Sequence, residues 1–126
     1  MKNLEQIRAK QALEFWRNRP HDAELGGEPG GDALSGLAVL ILNRGLLAAL
    51  ALAKEKPKSY GIILREIGRF LASQGPDGRA IFADNINSLE AFIEVLTRND
   101  SDLLQQATAE SLAYLAYLKR FRSNQQ

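Results

Sequence analysis

The sequence predicts an all-α, single-domain bundle of five or six helices around a mostly apolar central helix, and three observations carry that prediction. The first is the choice of hydrophobe. Among 126 residues there are 20 Leu and 17 Ala but only 2 Val and 2 Thr. Leu and Ala lose little freedom on entering a helix, whereas strands favour β-branched and aromatic side chains. The second is period, because apolar residues return at helical spacing in segment after segment. The third is size: the chain is one domain long, and 45% hydrophobic residues supply a real core. The absence of cysteine excludes a disulfide framework, a zinc ribbon and a thiolate nucleophile.

Asn3 is placed to cap a first helix running to about Arg19, with Leu4, Ala12, Phe15 and Trp16 on one side and Ile7 at its edge. Arg8 and Arg19 intrude on that side, so the face is expected to be partly wet or to meet a partner. Pro20 ends the segment. Residues 20–36 are rich in Gly, carry Asp22, Glu24, Glu28 and Asp32, and lack aromatics, so they read as a flexible acidic loop. Leu37 to Ala53 is apolar nearly all round, interrupted by Asn43, Arg44 and Gly45, and is expected to be the central helix. It is short for a bilayer and has an arginine near its middle, which argues against a membrane span.

Ser59 is expected to cap a helix to about Gln74, whose inward stripe is Tyr60, Ile63, Leu64, Ile67, Phe70 and Leu71, with Arg65 and Arg69 opposite. Gly75 to Gly78 form a turn cluster, and a short helix is expected around Ile81 and Phe82. Asn87 and Glu90 have capping-box spacing before Leu89, Phe92, Ile93 and Leu96. Arg98 to Asp100 break that helix. Ser101 is expected to cap the last one, whose inward stripe runs from Leu103 and Leu104 through Ala107, Ser111, Tyr114, Leu115 and Leu118 to Phe121. Residues 123–126 read as a frayed tail.

Nothing in the chain makes a case for an enzyme. His21 is the single histidine and reads as a solvated loop residue; no metal cluster, cofactor fingerprint or phosphate loop is present in the sequence, so no catalytic residue, metal or cofactor is expected. Glu90 and Glu94 share a helix face without a third acid or a histidine. Met1 to Lys10 carry four charged residues and no apolar signal core, which points to the cytoplasm.

Charge is segregated although its total is only +1: residues 1–19 carry +3 and residues 37–69 carry +4, while residues 80–118 carry −5. Lys10 and Arg17, one heptad apart, with Arg44, Lys54, Lys56, Lys58, Arg65 and Arg69, are the candidates for a face that follows a phosphate backbone without reading bases. The competing readings are structural. Lys54, Lys56 and the group Lys119, Arg120 and Arg122 lie where helix C-termini favour cations, and Arg65 and Arg69 fit a solvated face. Arg44, flanked by leucines, needs either a buried acid or an opening to water. The aromatics fall mostly on core stripes, which disfavours recognition by base stacking. Trp16 and Tyr117 border their stripes and are candidates for a protein contact.

The stretch Leu37-Ala38-Val39-Leu40-Ile41-Leu42-Asn43-Arg44-Gly45-Leu46-Leu47-Ala48-Ala49-Leu50-Ala51, running into Lys54, has a family likeness. So do the stretch from Glu110 to Phe121 and the opening Leu4 to Ala9 with Ala12 to Glu14. Together they resemble the small-subunit family of the Cmr-type (type III-B) CRISPR effector complex, the fifth Cmr protein. The chain departs from the family pattern at Ala38, where that pattern has proline, and at Arg44, where it has asparagine; Gly45 keeps the pattern and is expected to let a neighbouring helix approach. The resemblance implies a helical subunit without catalytic activity, several copies of which stack along larger backbone subunits beside guide RNA and target RNA in antiviral defence. It carries no RNA-binding residues to transfer. An adaptor that meets only protein is the alternative.

Overall fold

Asn3 opens the first helix as its position predicts, and it does so reciprocally: its Oδ1 accepts the Gln6 N–H at 2.8 Å while Gln6 Oε1 accepts the Asn3 N–H at 2.9 Å. A cap of this kind contributes about 1 kcal/mol. In the computed structural model, which describes residues 3–18, 32–55, 59–72, 81–82 and 85–122, six helices follow one another. They are α1 (Leu4–Arg17), α2 (Asp32–Arg44), α3 (Leu46–Glu55), α4 (Ser59–Leu71), α5 (Leu89–Arg98) and α6 (Ser101–Arg122). No strand occurs among the described residues. His21, Lys56, Lys58, the turn at 75–78, the tail at 123–126 and most of the segment 20–36 lie outside them.

The first and last helices run parallel, since Arg8 meets Glu110 and Trp16 meets Leu118 at the same sequence offset of 102 residues. α4 lies deepest, packing on α2, α3, α5 and α6. Its seven buried residues run from Gly61 to Leu71 and include the predicted Ile63, Leu64, Ile67, Phe70 and Leu71. Gly68 is required there by space: a Cβ on it would fall 2.8 Å from Ile86 Cγ2 and 3.0 Å from Phe92 Cδ2. Phe70 stacks on Tyr114 of α6, with ring centroids 4.0 Å apart and planes at 9°.

The apolar stretch 37–53 is two helices, not the single one its composition suggests. Gly45 takes φ 97°, a left-handed conformation that glycine adopts without steric cost. The break is one residue wide, because the Gly45 N–H still donates to Ile41 O at 2.8 Å and the Ala49 N–H donates to Gly45 O at 3.2 Å. No helix crowds this glycine: the space where its Cβ would stand is open to 4 Å. Backbone conformation, not close approach, is what the position demands. Helix α2 has one buried side and one exposed side. Leu34, Leu37 and Ile41 are buried, but Val39 is 54% and Leu42 68% exposed.

Helix α2 starts at Asp32, so the end of the segment read as loop is helical, with Ala33 and Leu34 in the core. Glycines earlier in that segment dominate its average composition and hide the start. Ile81 and Phe82 are not helical; both N–H groups donate to Leu71 O, at 2.8 and 3.3 Å, and Phe82 is buried. Two caps shift by one residue. Ser88, not Asn87, caps α5 through Ala91 N–H at 3.1 Å, and Asp100 Oδ1, not Ser101, takes the Leu103 N–H at 3.1 Å for α6. At both helix starts adjacent residues have the chemistry of a cap, and the backbone register chooses between them.

Candidate functional site

The cationic residues divide by whether an acid already holds them. Arg8 faces inward across the α1–α6 seam, where Nε and Nη2 donate to the two oxygens of Glu110 at 2.6 and 2.7 Å. The side chains are only 21% and 11% exposed. Hydrogen bonding to Glu110 raises the Arg8 pKa against the opposing effect of burial. The partner its position called for is thus inside the chain. Trp16 is likewise internal: it is 1% exposed, its Nε1–H donates to Leu118 O at 2.9 Å, and the Arg122 guanidinium lies 6.0 Å from its ring centroid. Trp16 therefore offers no surface for a protein contact. Tyr117 is half-buried and meets the ring of Phe121 edge-on.

Lys54 is exposed but paired, with its Nζ 3.4 Å from Glu90 Oε1 on α5, beside the acidic part of the molecule. Arg69 is held more firmly. Its Nε and Nη2 donate to the oxygens of Glu66 at 2.9 and 2.6 Å, and Nη2 also reaches Gln11 Oε1 on α1 at 2.8 Å. Glu66 takes a further hydrogen bond from the Tyr114 hydroxyl at 2.6 Å. Hydrogen bonding to Glu66 raises the Arg69 pKa, while desolvation, reinforced by the Glu66 charge, pushes the Tyr114 phenol far above its ordinary value.

The remaining described candidates carry unbalanced charge. Lys10 and Arg17 lie on the face of α1 opposite buried Ile7, Ala12 and Trp16, and Arg65 is exposed on α4 one turn before Arg69. The Gln11–Arg69 hydrogen bond joins α1 to α4, so four of the eight candidates, Lys10, Arg17, Arg65 and Arg69, belong to adjoining helices. Arg44 is exposed at the last position of α2, which decides its open alternative in favour of water. The parallel register also brings in exposed cations that sequence alone assigned to a helix end. Lys119 stands level with Arg17, and Arg120 follows it. Only the spatial pairing of α1 with α6 carries that signal.

Elsewhere the exposed residues include a group of acids and a pair of apolar side chains. Glu94, Asp100 and Asp102 are exposed around the α5–α6 junction, and Val39 and Leu42 stand out on α2. None of the aromatic side chains is exposed, and Phe15, Tyr60, Tyr117 and Phe121 are half-buried, which disfavours recognition by stacking on bases. Among the described residues no three His, Cys, Asp or Glu side chains gather as metal ligands, and no helix is long and apolar enough to cross a membrane. What the arrangement can do chemically is present cations to a polyanion along α1 and α4.

The model of one family, described as CRISPR-associated protein (Cas_Cmr5), matches residues 4–124, a span that takes in all six helices. No curated protein and no solved structure matches the chain.

Proposed function

The chain belongs to the Cmr5 family of type III-B CRISPR systems, and from that premise we propose how it works as a small subunit of a Cmr complex in CRISPR defence. It is non-catalytic and acts in the cytoplasm as part of a ribonucleoprotein, stacking in several copies along the backbone subunits. Its cationic face runs along the guide or target RNA. The observation that carries the RNA contact is the contrast between bases. Lys10, Arg17 and Arg65 are exposed without an ion pair among the described residues, on helices joined by the Gln11–Arg69 hydrogen bond, whereas Lys54 is matched by Glu90. Arg44 extends the set from α2, and Lys56 and Lys58 belong to it by sequence. With no exposed aromatic, the contact is to phosphates and indifferent to sequence. Val39 and Leu42, with the acids Glu94, Asp100 and Asp102, serve neighbouring protein, and the apolar pair supports the stacking.

Tagged chain recovered from its native cells, with and without ribonuclease, tests the assembly: large CRISPR subunits with a short protected RNA are expected. Recovery of the chain alone rejects the complex, and an assembly that survives nuclease without RNA favours the adaptor. The face is tested by single-stranded RNA binding across a salt series. About four phosphate contacts give a log–log slope near −3. The triple change Lys10→Glu, Arg17→Glu, Arg65→Glu should weaken binding more than about tenfold and flatten the slope by about 2.

A further inference from the structure

Arg69 is built differently from the other surface cations. Its side chain is 48% exposed, yet its guanidinium is fixed by residues of three helices. Glu66, 9% exposed in its side chain, accepts from both Nε and Nη2, and the hydroxyl of Tyr114, on α6, holds Glu66 in turn at 2.6 Å. Gln11 of α1 takes a hydrogen bond from Nη2 at 2.8 Å. A guanidinium has five N–H donors. Nε and Nη2 account for three here, and the two on Nη1 have no acceptor among the described residues.

An exposed arginine that merely solvates a helix keeps its rotamer freedom, and an ordinary surface ion pair contributes little to stability. Here a nearly buried carboxylate and a fully buried tyrosine hold one arginine in one pose. The ordering cost that a ligand normally imposes on an arginine has thus been met within the fold, and the side chain, 48% exposed, keeps two Nη1 donors that no described acceptor takes. Glu66 also cancels much of the local charge, so attraction at this point comes from directed hydrogen bonds more than from net charge. The net charge is supplied nearby by Arg65, one turn earlier on α4, and Lys10, beside Gln11 on α1.

We propose that Nη1 of Arg69 is a preorganised donor to a phosphodiester oxygen of the RNA backbone, and that Glu66, Tyr114 and Gln11 are its positioning residues. This rests on the RNA contact proposed above and names the point on that face where geometry, not charge alone, makes the contact. The test is equilibrium binding of the full chain to a mixed-sequence single-stranded RNA oligonucleotide in a salt series, with a thermal melt of each variant. Tyr114→Phe keeps the ring against Phe70 and releases Glu66; it should weaken binding about threefold to tenfold with an unchanged salt slope. Arg69→Lys keeps the charge and loses the fork, and it should match that loss. Gln11→Ala, which leaves the buried residues intact, should cost about twofold. Variants that bind like the parent, whatever their melting temperature, overturn the inference and leave the network a structural clamp. A parent chain that does not bind RNA overturns the RNA contact itself, and this inference with it.

Discussion

The α1–α6 seam and the α2 helix are opposites. At the seam, charged and polar groups turn inward: Arg8 and Glu110 form a two-point ion pair, and the Trp16 N–H reaches a backbone carbonyl of α6. On α2, apolar groups turn outward, with Val39 and Leu42 more than half exposed. The difference teaches that neither polarity nor apolarity assigns a role to a residue until its neighbours are known. An arginine on an apolar stripe is here a fastener between helices distant in sequence. A valine and a leucine in the most apolar stretch of the chain are here surface.

Substitutions that attack the seam should show the largest effects. Trp16→Ala removes a fully buried ring and its hydrogen bond, and chemical denaturation should show a loss of about 4 kcal/mol. Glu110→Ala leaves the half-buried Arg8 guanidinium without its acid and should cost about 2 kcal/mol in the same measurement. A much smaller loss in either would mean that the two helices part without penalty. The effects fall off toward α2. Gly45→Ala forces a side chain into left-handed backbone and should cost about 1–2 kcal/mol, although no neighbour obstructs the added methyl. If stability instead rises, α2 and α3 have joined into the continuous helix that composition favours. Leu42→Gln should change stability by no more than about 0.5 kcal/mol while weakening capture of neighbouring subunits. A large destabilisation would place Leu42 in the core and abolish the contrast.

Much of the fold was legible because its cues are local. Ile63, Leu64, Ile67, Phe70 and Leu71 lie at helical spacing and are buried together, and Asn3 stands where a cap must stand. The misreadings also have local causes. Around Ile81 and Phe82 apolar residues are too few to show a period, and the segment takes its form by donating to Leu71 O. At Ser88 and Asp100 two adjacent residues could cap, and the difference between them lies in backbone angles. The candidate face was partly legible: Lys10, Arg17 and Arg65 are exposed as their positions suggest. The sequence held no sign that Lys54 has Glu90 beside it, 36 residues away, or that Glu66 and Tyr114 converge on Arg69 across 48 residues.

Composition, period and capping residues by themselves determined that this chain is a bundle of helices, approximately where each helix lies and which stripe of most helices is buried. They also carried the family resemblance, although its central stretch mixes buried Leu37, Ile41 and Leu46 with exposed Val39, Leu42 and Arg44. Tertiary structure alone decided that α1 and α6 run parallel, that Gly45 divides one apolar run into two helices, and which cations remain unmatched. Helix formation and amphipathicity are set by residues three and four apart, so one strand of sequence contains them. Ion pairing and burial depend on what folds alongside, and that is fixed by the joint packing of the helices.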